Sequence, residues 1–391
     1  MSKWQSWVLT DVAADVWWDT LRIASDQWKE PFPAAWHIHK RTLHGGKRDG
    51  VDLIAVHNGG LSYAVIPTRG MGLWRGQYHG LELGWRAPIQ GPVHPRNVNL
   101  LDRGGLGWLD GFDEWICRCG LHSNGPPGED PAAKEFLPLH GRIANLPARY
   151  VEVQVHLEPP YELRLIGQVD EAVMFFSKLR LTTTITTTPG SNKVAIQDIV
   201  ENRGTQPADL ELLYHCQFGP PFLEAGSRIR APIKVAAPRD ARAAADMATF
   251  ESYTAPATGA YAEQVYYYDL LADGNGQTLA LLHNARQNHG VAVRMSKAEL
   301  PRFVVWKHTA ATEDGYVTGL EPATNYPNPK AVEREKGRVV RLPPKGKYTS
   351  SLTVEVHDKA AGVAEVLREI DAIQAAAPPV IHKEPVADFS G

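Results

Sequence analysis

The sequence predicts an all-β protein of large antiparallel sheets with a few short helices. Three observations carry this. Residues 150–156 alternate strictly, with Val151, Val153 and Val155 on one face. Between residues 150 and 218 such runs follow one another, separated by Pro159-Pro160, Pro189-Gly190 and Asn202-Arg203-Gly204. That is a turn signal about every 8–12 residues, as in a sandwich. A sustained helical pattern occurs only over residues 360–375, where Val363, Val366, Leu367, Ile370 and Ile373 fall on one stripe.

The elements follow in order. Residues 1–50 are mixed. Val12, Val16 and Leu21 approach helical spacing and predict a short helix within residues 11–28. Residues 51–58 and 60–70 are β-rich and meet at Gly59-Gly60, a turn. Residues 70–138 carry many Gly and Pro between short apolar pieces and read as long loops with short strands, the kind of region that builds sites on a β scaffold. After the 150–218 meander, the Ala-rich residues 225–265 read as loop. Strands resume at 264–273, 277–285, 290–296 and 302–309, and a final pair flanks Pro343-Pro344-Lys345-Gly346. The Pro-rich tail from Pro378 reads as a surface strap or a disordered end. The expected organisation is a Trp-rich extension over residues 1–45 packed on a main domain, 46–358, with a helix and tail over 359–391. No repeat of 20–50 residues is visible.

Composition bounds the function. Apolar residues make up 43% of the 391 and charged residues 22%, the balance of a soluble chain with a sizeable core. Large all-β folds use this length as one unit. A net charge of −3 argues against a nucleic-acid binder. The N-terminus has no apolar h-region, and no run approaches a membrane span, so a cytoplasmic protein is expected, as a monomer or homodimer. Cys117, Cys119 and Cys216 form no C-x-x-C pair and are expected to be reduced. Of 11 tryptophans, all but Trp306 lie in the first third. Such rings stack on sugar C–H faces, but each is more readily explained as core.

Three segments carry candidate chemistry. On the strand around 209–215, His215 lies on the face opposite Leu210, Leu212 and Tyr214, near Gly219-Pro220-Pro221. Glu321 precedes Pro322, which removes a ladder donor and predicts a strand end or edge. His140 precedes Gly141, which permits close backbone approach, and Arg142 offers a fork of donors. His122 and Asn124 lie in a Gly-containing loop just before. Two histidines and a carboxylate are equipment for moving protons near neutral pH without a cofactor.

These segments resemble the aldose 1-epimerase (galactose mutarotase) superfamily, and more closely a divergent branch known as a domain of unknown function. The resemblance rests on Cys119–Pro126, His140–Ala148, Tyr214–Gly219 and Trp306–Thr324, with the 67–74 run containing Arg69 and Met71, in the same order over roughly residues 40–355. It implies a β-supersandwich with a concave sugar site and an isomerase that interconverts sugar anomers by ring opening. Glu321 would take the proton of the O1 hydroxyl, His215 would protonate ring oxygen O5, and His140 would contact the sugar. Arg142, Arg69, His122 and Lys307 complete the expected substrate-binding set, the cations admitting a sugar acid as well as a neutral sugar. The chain departs from the pattern at Gln217 and Ala323, and the sugar-binding Asp has only Asp240 and Asp269 as counterparts. Two alternatives stay open. One is an epimerase or lyase acting on an oxidised sugar or glycoside, in which His122, His140, His215 and Glu321 ligate a zinc- or manganese-like ion. The other is a non-catalytic sugar binder. No cofactor is the leading expectation.

Overall fold

The computed structural model describes residues 3–390. Among these, strands build two large sheets and one small hairpin. The ten-stranded sheet is centred on the meander Tyr150–His156, Leu163–Ala172, Lys178–Thr187 and Lys193–Asn202, continued by Lys347–His357, Gly290–Ser296 and Gln277–His283. Every neighbour in that run is antiparallel. The fourteen-stranded sheet holds, side by side in its middle, Gln264–Leu270, Arg302–His308, Val317–Ala323, Ala208–Phe218, Ile116–Leu121 and Gly72–Tyr78.

Period-two alternation decides what each face does. In strand 208–218, Leu210, Leu212, Tyr214, Cys216 and Phe218 enter the core between the sheets, with Val153, Leu165, Leu181 and Ile196 of the other layer. Leu213 faces away and joins a second buried cluster with Trp108, Phe112, Cys117, Cys119, Val304 and Tyr326. One polar bolt crosses the core. The Arg118 guanidinium grips Asp198 of the ten-stranded sheet, with Nη2 donating to Oδ1 at 2.9 Å. It also donates to Thr183 Oγ1 at 2.7 Å, and the Tyr214 hydroxyl donates to Asp198 at 2.8 Å. A buried ion pair is tolerated when its remaining hydrogen-bonding capacity is met in this way.

Three expectations are corrected. Residues 11–28 form no α-helix. They give the end of strand Trp4–Asp11, then Val16–Trp17, Leu21–Ala24 and a single 3₁₀ turn, Ser25–Gln27. Asp15 adopts φ 55° and the Asp11 carboxylate accepts from the Ala13 amide, so a turn interrupts what looked like helical spacing. Strand 4–11 pairs with 150–156, while 21–24 and 37–42 extend the larger sheet. Pro322 neither ends a strand nor marks an edge. Strand 317–323 runs through it, between 302–308 and 208–218. The recorded pairs with 208–218 pass from Leu213–Ala323 to Cys216–Leu320, so the missing N–H falls in a gap of that ladder. Third, the supposed loop 225–265 contains strand Ile233–Pro238 and helix Ala241–Ala244.

Most tryptophans are core. Trp28 stacks on the buried Trp36 at 5.4 Å, with Trp7 and Phe32 around them. The C-terminal helix, Ala360–Gln374, buries Val363, Val366, Ile370 and Ile373 against Leu279 and Leu281. The tail after it is a strap. Val380–Ile381 pair in parallel with strand 233–238, Phe389 packs on Tyr326 at 5.0 Å, and Ser390 Oγ donates to the Arg239 carbonyl at 3.0 Å. The three cysteines are free and buried. No described helix is long and apolar enough to cross a membrane.

Candidate active site

The register of the larger sheet sets Glu321 beside His215, since Leu213 pairs with Ala323 and Cys216 with Leu320. Both side chains are buried, and His215 Nδ1 faces Glu321 Oε1 at 3.3 Å. Both atoms are buried without a hydrogen-bond partner among the described residues, so each is left to the other at this distance. Gly319 makes this possible. It precedes Glu321 by two residues on the same face, and a Cβ there would stand 2.2 Å from Glu321 Oε1. Burial pushes the Glu321 carboxyl well above its ordinary value, with Glu263 adding and Arg239 opposing. Burial holds the His215 imidazole well below its ordinary value, the His140 ring adding and Gln217 opposing. Both shifts favour the neutral forms of the two groups.

His140 reaches the same place from a strained turn. His140 has φ 57° and Gly141 φ 72°. A Cβ at Gly141 would meet the Ser123 and Gly120 carbonyl oxygens at 2.2 and 2.4 Å, so only glycine lets this turn dock on the end of strand 116–121. Two backbone bonds, Gly120 N–H to His140 O and Arg142 N–H to Gly120 O, both 3.0 Å, fasten it. The His140 Nδ1–H donates to the Asn124 carbonyl at 2.9 Å, which leaves Nε2 as an acceptor. Asn124 is clamped by Asn325 in a reciprocal amide pair of 2.9 and 3.1 Å, and Glu211 accepts from both residues. Burial raises Glu211 to about 8. Burial also lowers the His140 pKa, so this ring too is neutral.

The His140 and His215 rings lie 5.5 Å apart, nearly perpendicular. With Glu321 they line a cavity of ≈ 260 Å³ whose walls include Trp108, Phe112, Trp306, Leu106, Leu109 and Leu139. Phe112 and Trp306 touch the His215 ring edge to face, at 5.1 and 5.3 Å. Arg239 and Glu263 also line it. Arg239 donates to Asp240 at 2.9 Å and to Glu263 at 3.1 Å, and Glu263 accepts the Trp306 indole N–H at 2.7 Å. Neither Arg239 nor Glu263 was foreseen. Arg239 follows the strand read as loop, and an isolated Arg-Asp dipeptide carries no signal.

The family model described as Domain of unknown function (DUF4432) matches residues 48–356. The chain belongs to this family. Among solved structures similar to this DUF4432 member is a proposed aldose 1-epimerase from Klebsiella pneumoniae. It is 36% identical over 98% of this chain and 99% of that one, with a TM-score of 0.95. A galactose mutarotase-like protein from Clostridium acetobutylicum is 17% identical over 82% and 98%, and a galactose mutarotase related enzyme from Lactobacillus acidophilus 11% over 78% and 98%, each with TM-score 0.54. At those identities they show the fold alone, which is the galactose mutarotase-like arrangement of large antiparallel sheets. No match is found among curated proteins.

In this DUF4432 chain the other expected site residues lie elsewhere. Lys307 is on the opposite face of its strand from Trp306. It points into the inter-sheet layer, where Nζ donates to the carbonyls of Thr249, Phe250 and Ser252. Arg69 is buried against Glu114 at 2.6 Å and Asn145 at 2.8 Å, and so braces the loop that carries Phe112. Arg142 is exposed and lines a neighbouring cavity of ≈ 280 Å³ with His122 and Glu135. His122 Nε2 is 2.7 Å from Glu135, and Lys330 binds the His122 carbonyl. The four-residue metal set is thus divided between two cavities. Among the described residues no group of three His, Cys, Asp or Glu is disposed to hold an ion. Asp240 stands beside Arg239 near the cavity, while Asp269 pairs with Lys297 at 2.8 Å.

Proposed function

We propose that this chain interconverts the anomers of a free sugar, with Glu321 and His215 acting as one proton relay and His140 holding the substrate. The observation that carries the reading is the buried, 3.3 Å carboxyl–imidazole pair inside a small aromatic-walled cavity. The cavity is smaller than the ~300–1,000 Å³ of pockets for drug-sized ligands, a size that suits a monosaccharide.

Burial forbids a mechanism with long-lived charges, and the neutral pair needs none. Glu321 Oε1–H faces His215 Nδ1, so the His215 proton sits on Nε2, the ring nitrogen left for the substrate. In ring opening the O1 hydroxyl gives its proton to Glu321 Oε2 as the carbonyl forms. Glu321 passes its Oε1 proton to His215 Nδ1, and His215 Nε2–H protonates O5 as the C1–O5 bond breaks. Glu321 ends protonated on the other oxygen and His215 ends as the other tautomer, with no net charge on either. Rotation about C1–C2 and the reverse sequence close the other anomer. His140 Nε2, an acceptor, takes a hydrogen bond from a sugar hydroxyl and fixes the ring over the relay.

The test is magnetisation transfer between the α and β anomeric protons of aldoses by NMR, with native protein and Glu321→Gln. Native protein should speed exchange above buffer. Glutamine cannot pass the proton, so exchange should fall by about 10²–10⁴-fold with binding retained. Native protein that leaves every anomer pair at its buffer rate overturns the proposal.

A further inference from the structure

The cavity also carries information about which sugar it takes. An aldohexose brings five hydroxyls and a ring oxygen, and each oxygen buried without a partner is costly. The relay and His140 serve O1, O5 and one hydroxyl. The other polar side chains on the wall, Arg239 and Glu263, already bond each other at 3.1 Å. The Trp306 indole N–H is given to Glu263. The remaining wall is apolar, from Leu106, Leu109, Phe112 and Leu139 to Val304. Charge points the same way. Arg239 is the one cation among the lining residues and is spoken for twice, by Asp240 at 2.9 Å and by Glu263. The cations expected to hold a sugar acid, Arg69, Arg142 and Lys307, are outside this cavity. A carboxylate or phosphate entering would face Glu263 with no free counter-charge.

We infer that the substrate is an uncharged, hydroxyl-poor monosaccharide, of the 6-deoxyhexose type, whose methyl group meets the apolar wall. This rests on the anomerisation reading above. An apolar wall accepts a methyl group and offers nothing to the hydroxymethyl or carboxylate that replaces it.

The experiment measures kcat/KM for anomer exchange on matched sugars. These are 6-deoxy-D-glucose, D-glucose and D-glucuronate, and the corresponding galactose series. The 6-deoxy member should exceed its parent roughly 10- to 100-fold, the range an apolar pocket achieves against an added hydroxyl, and the uronate should be slowest. Glu263→Gln keeps an acceptor for Trp306 but releases Arg239, so it should narrow the gap between uronate and parent. Equal or better turnover of parent hexose or uronate by the native protein overturns this inference and leaves anomerisation standing. An unchanged uronate gap in Glu263→Gln overturns its charge argument. Exchange at the buffer rate for every sugar overturns the underlying reading instead.

Discussion

Gly319→Ala separates the placement of Glu321 from the stability of the sheet. Gly319 sits mid-strand, paired with Trp306 on one side and Gln217 on the other. An added Cβ would lie 2.2 Å from Glu321 Oε1, 3.1 Å from its Cδ and 3.3 Å from its Cγ. The atoms in the way belong to the far end of a flexible side chain, so the backbone need not move. The carboxyl must retreat by roughly 1 Å to reach ordinary contact, and a displacement of that size costs a proton-transfer site on the order of 10²-fold. Alanine is also a better strand residue than glycine, so stability should change by less than about 1 kcal/mol. Anomer exchange by NMR and urea unfolding on the same preparation make the comparison. Exchange within twofold of native would refute the reasoning, because the carboxyl position would then not matter. Loss of exchange together with several kcal/mol of stability would equally refute it, because the strand rather than the carboxyl would have given way.

Further outcomes follow from the buried charges. The relay works when Glu321 is protonated and His215 is not. Activity should therefore fall on the acid side as pH drops through the lowered His215 value, below the ordinary 6.5, and on the alkaline side as pH rises through the raised Glu321 value, above the ordinary 4.5. A kcat/KM profile with its acid limb at or above the ordinary imidazole value contradicts this. Because the folded protein holds the Glu321 proton more tightly than the unfolded chain, native stability declines as pH rises from the ordinary carboxyl value through the raised one. Glu321→Gln has no such proton to lose, so its melting temperature relative to native should climb from about pH 5 to pH 8. A difference that is flat or shrinks over that range would show that the carboxyl is not buried as described. Asp198→Ala leaves Arg118 buried and unpaired, and should cost about 3–5 kcal/mol in denaturant unfolding. A cost below ~1 kcal/mol would mean the pair does not bind the layers together.

Much of this architecture is legible in the amino-acid sequence. The meander 150–218 announces itself because its strands are buried on one face and its turns are spelled by Pro and Gly, so period and punctuation agree. The same alternation puts His215 opposite the core-facing Leu210, Leu212 and Tyr214. The trio His140, His215 and Glu321 is recognisable from motif order, whereas its meeting depends on a register between strands a hundred residues apart that no local pattern encodes. The cations lie outside the cavity for local reasons. Arg69, Arg142 and Lys307 were plausible by type, yet Lys307 has the wrong parity on its strand and Arg69 is consumed by Glu114. Residues 11–28 misled because three apolar side chains at irregular spacing fit a helix as well as three strand pieces. Strand 233–238 was missed because Ala and Pro dilute its β signal, and Arg239 was lost with it.

The two-faced strands at the centre of the larger sheet divide the labour of the sequence between odd and even positions. In strand 208–218 the even positions from Leu210 to Phe218 hold the layers together, while Leu213, His215 and Gln217 look toward the chemistry. Varying Val304, which lines the cavity from the neighbouring region of the same sheet, would therefore explore new substrates while the core-facing positions of this strand stay untouched. The same parity makes insertions far more dangerous than substitutions. One added residue in this strand would exchange the two roles at every position beyond it.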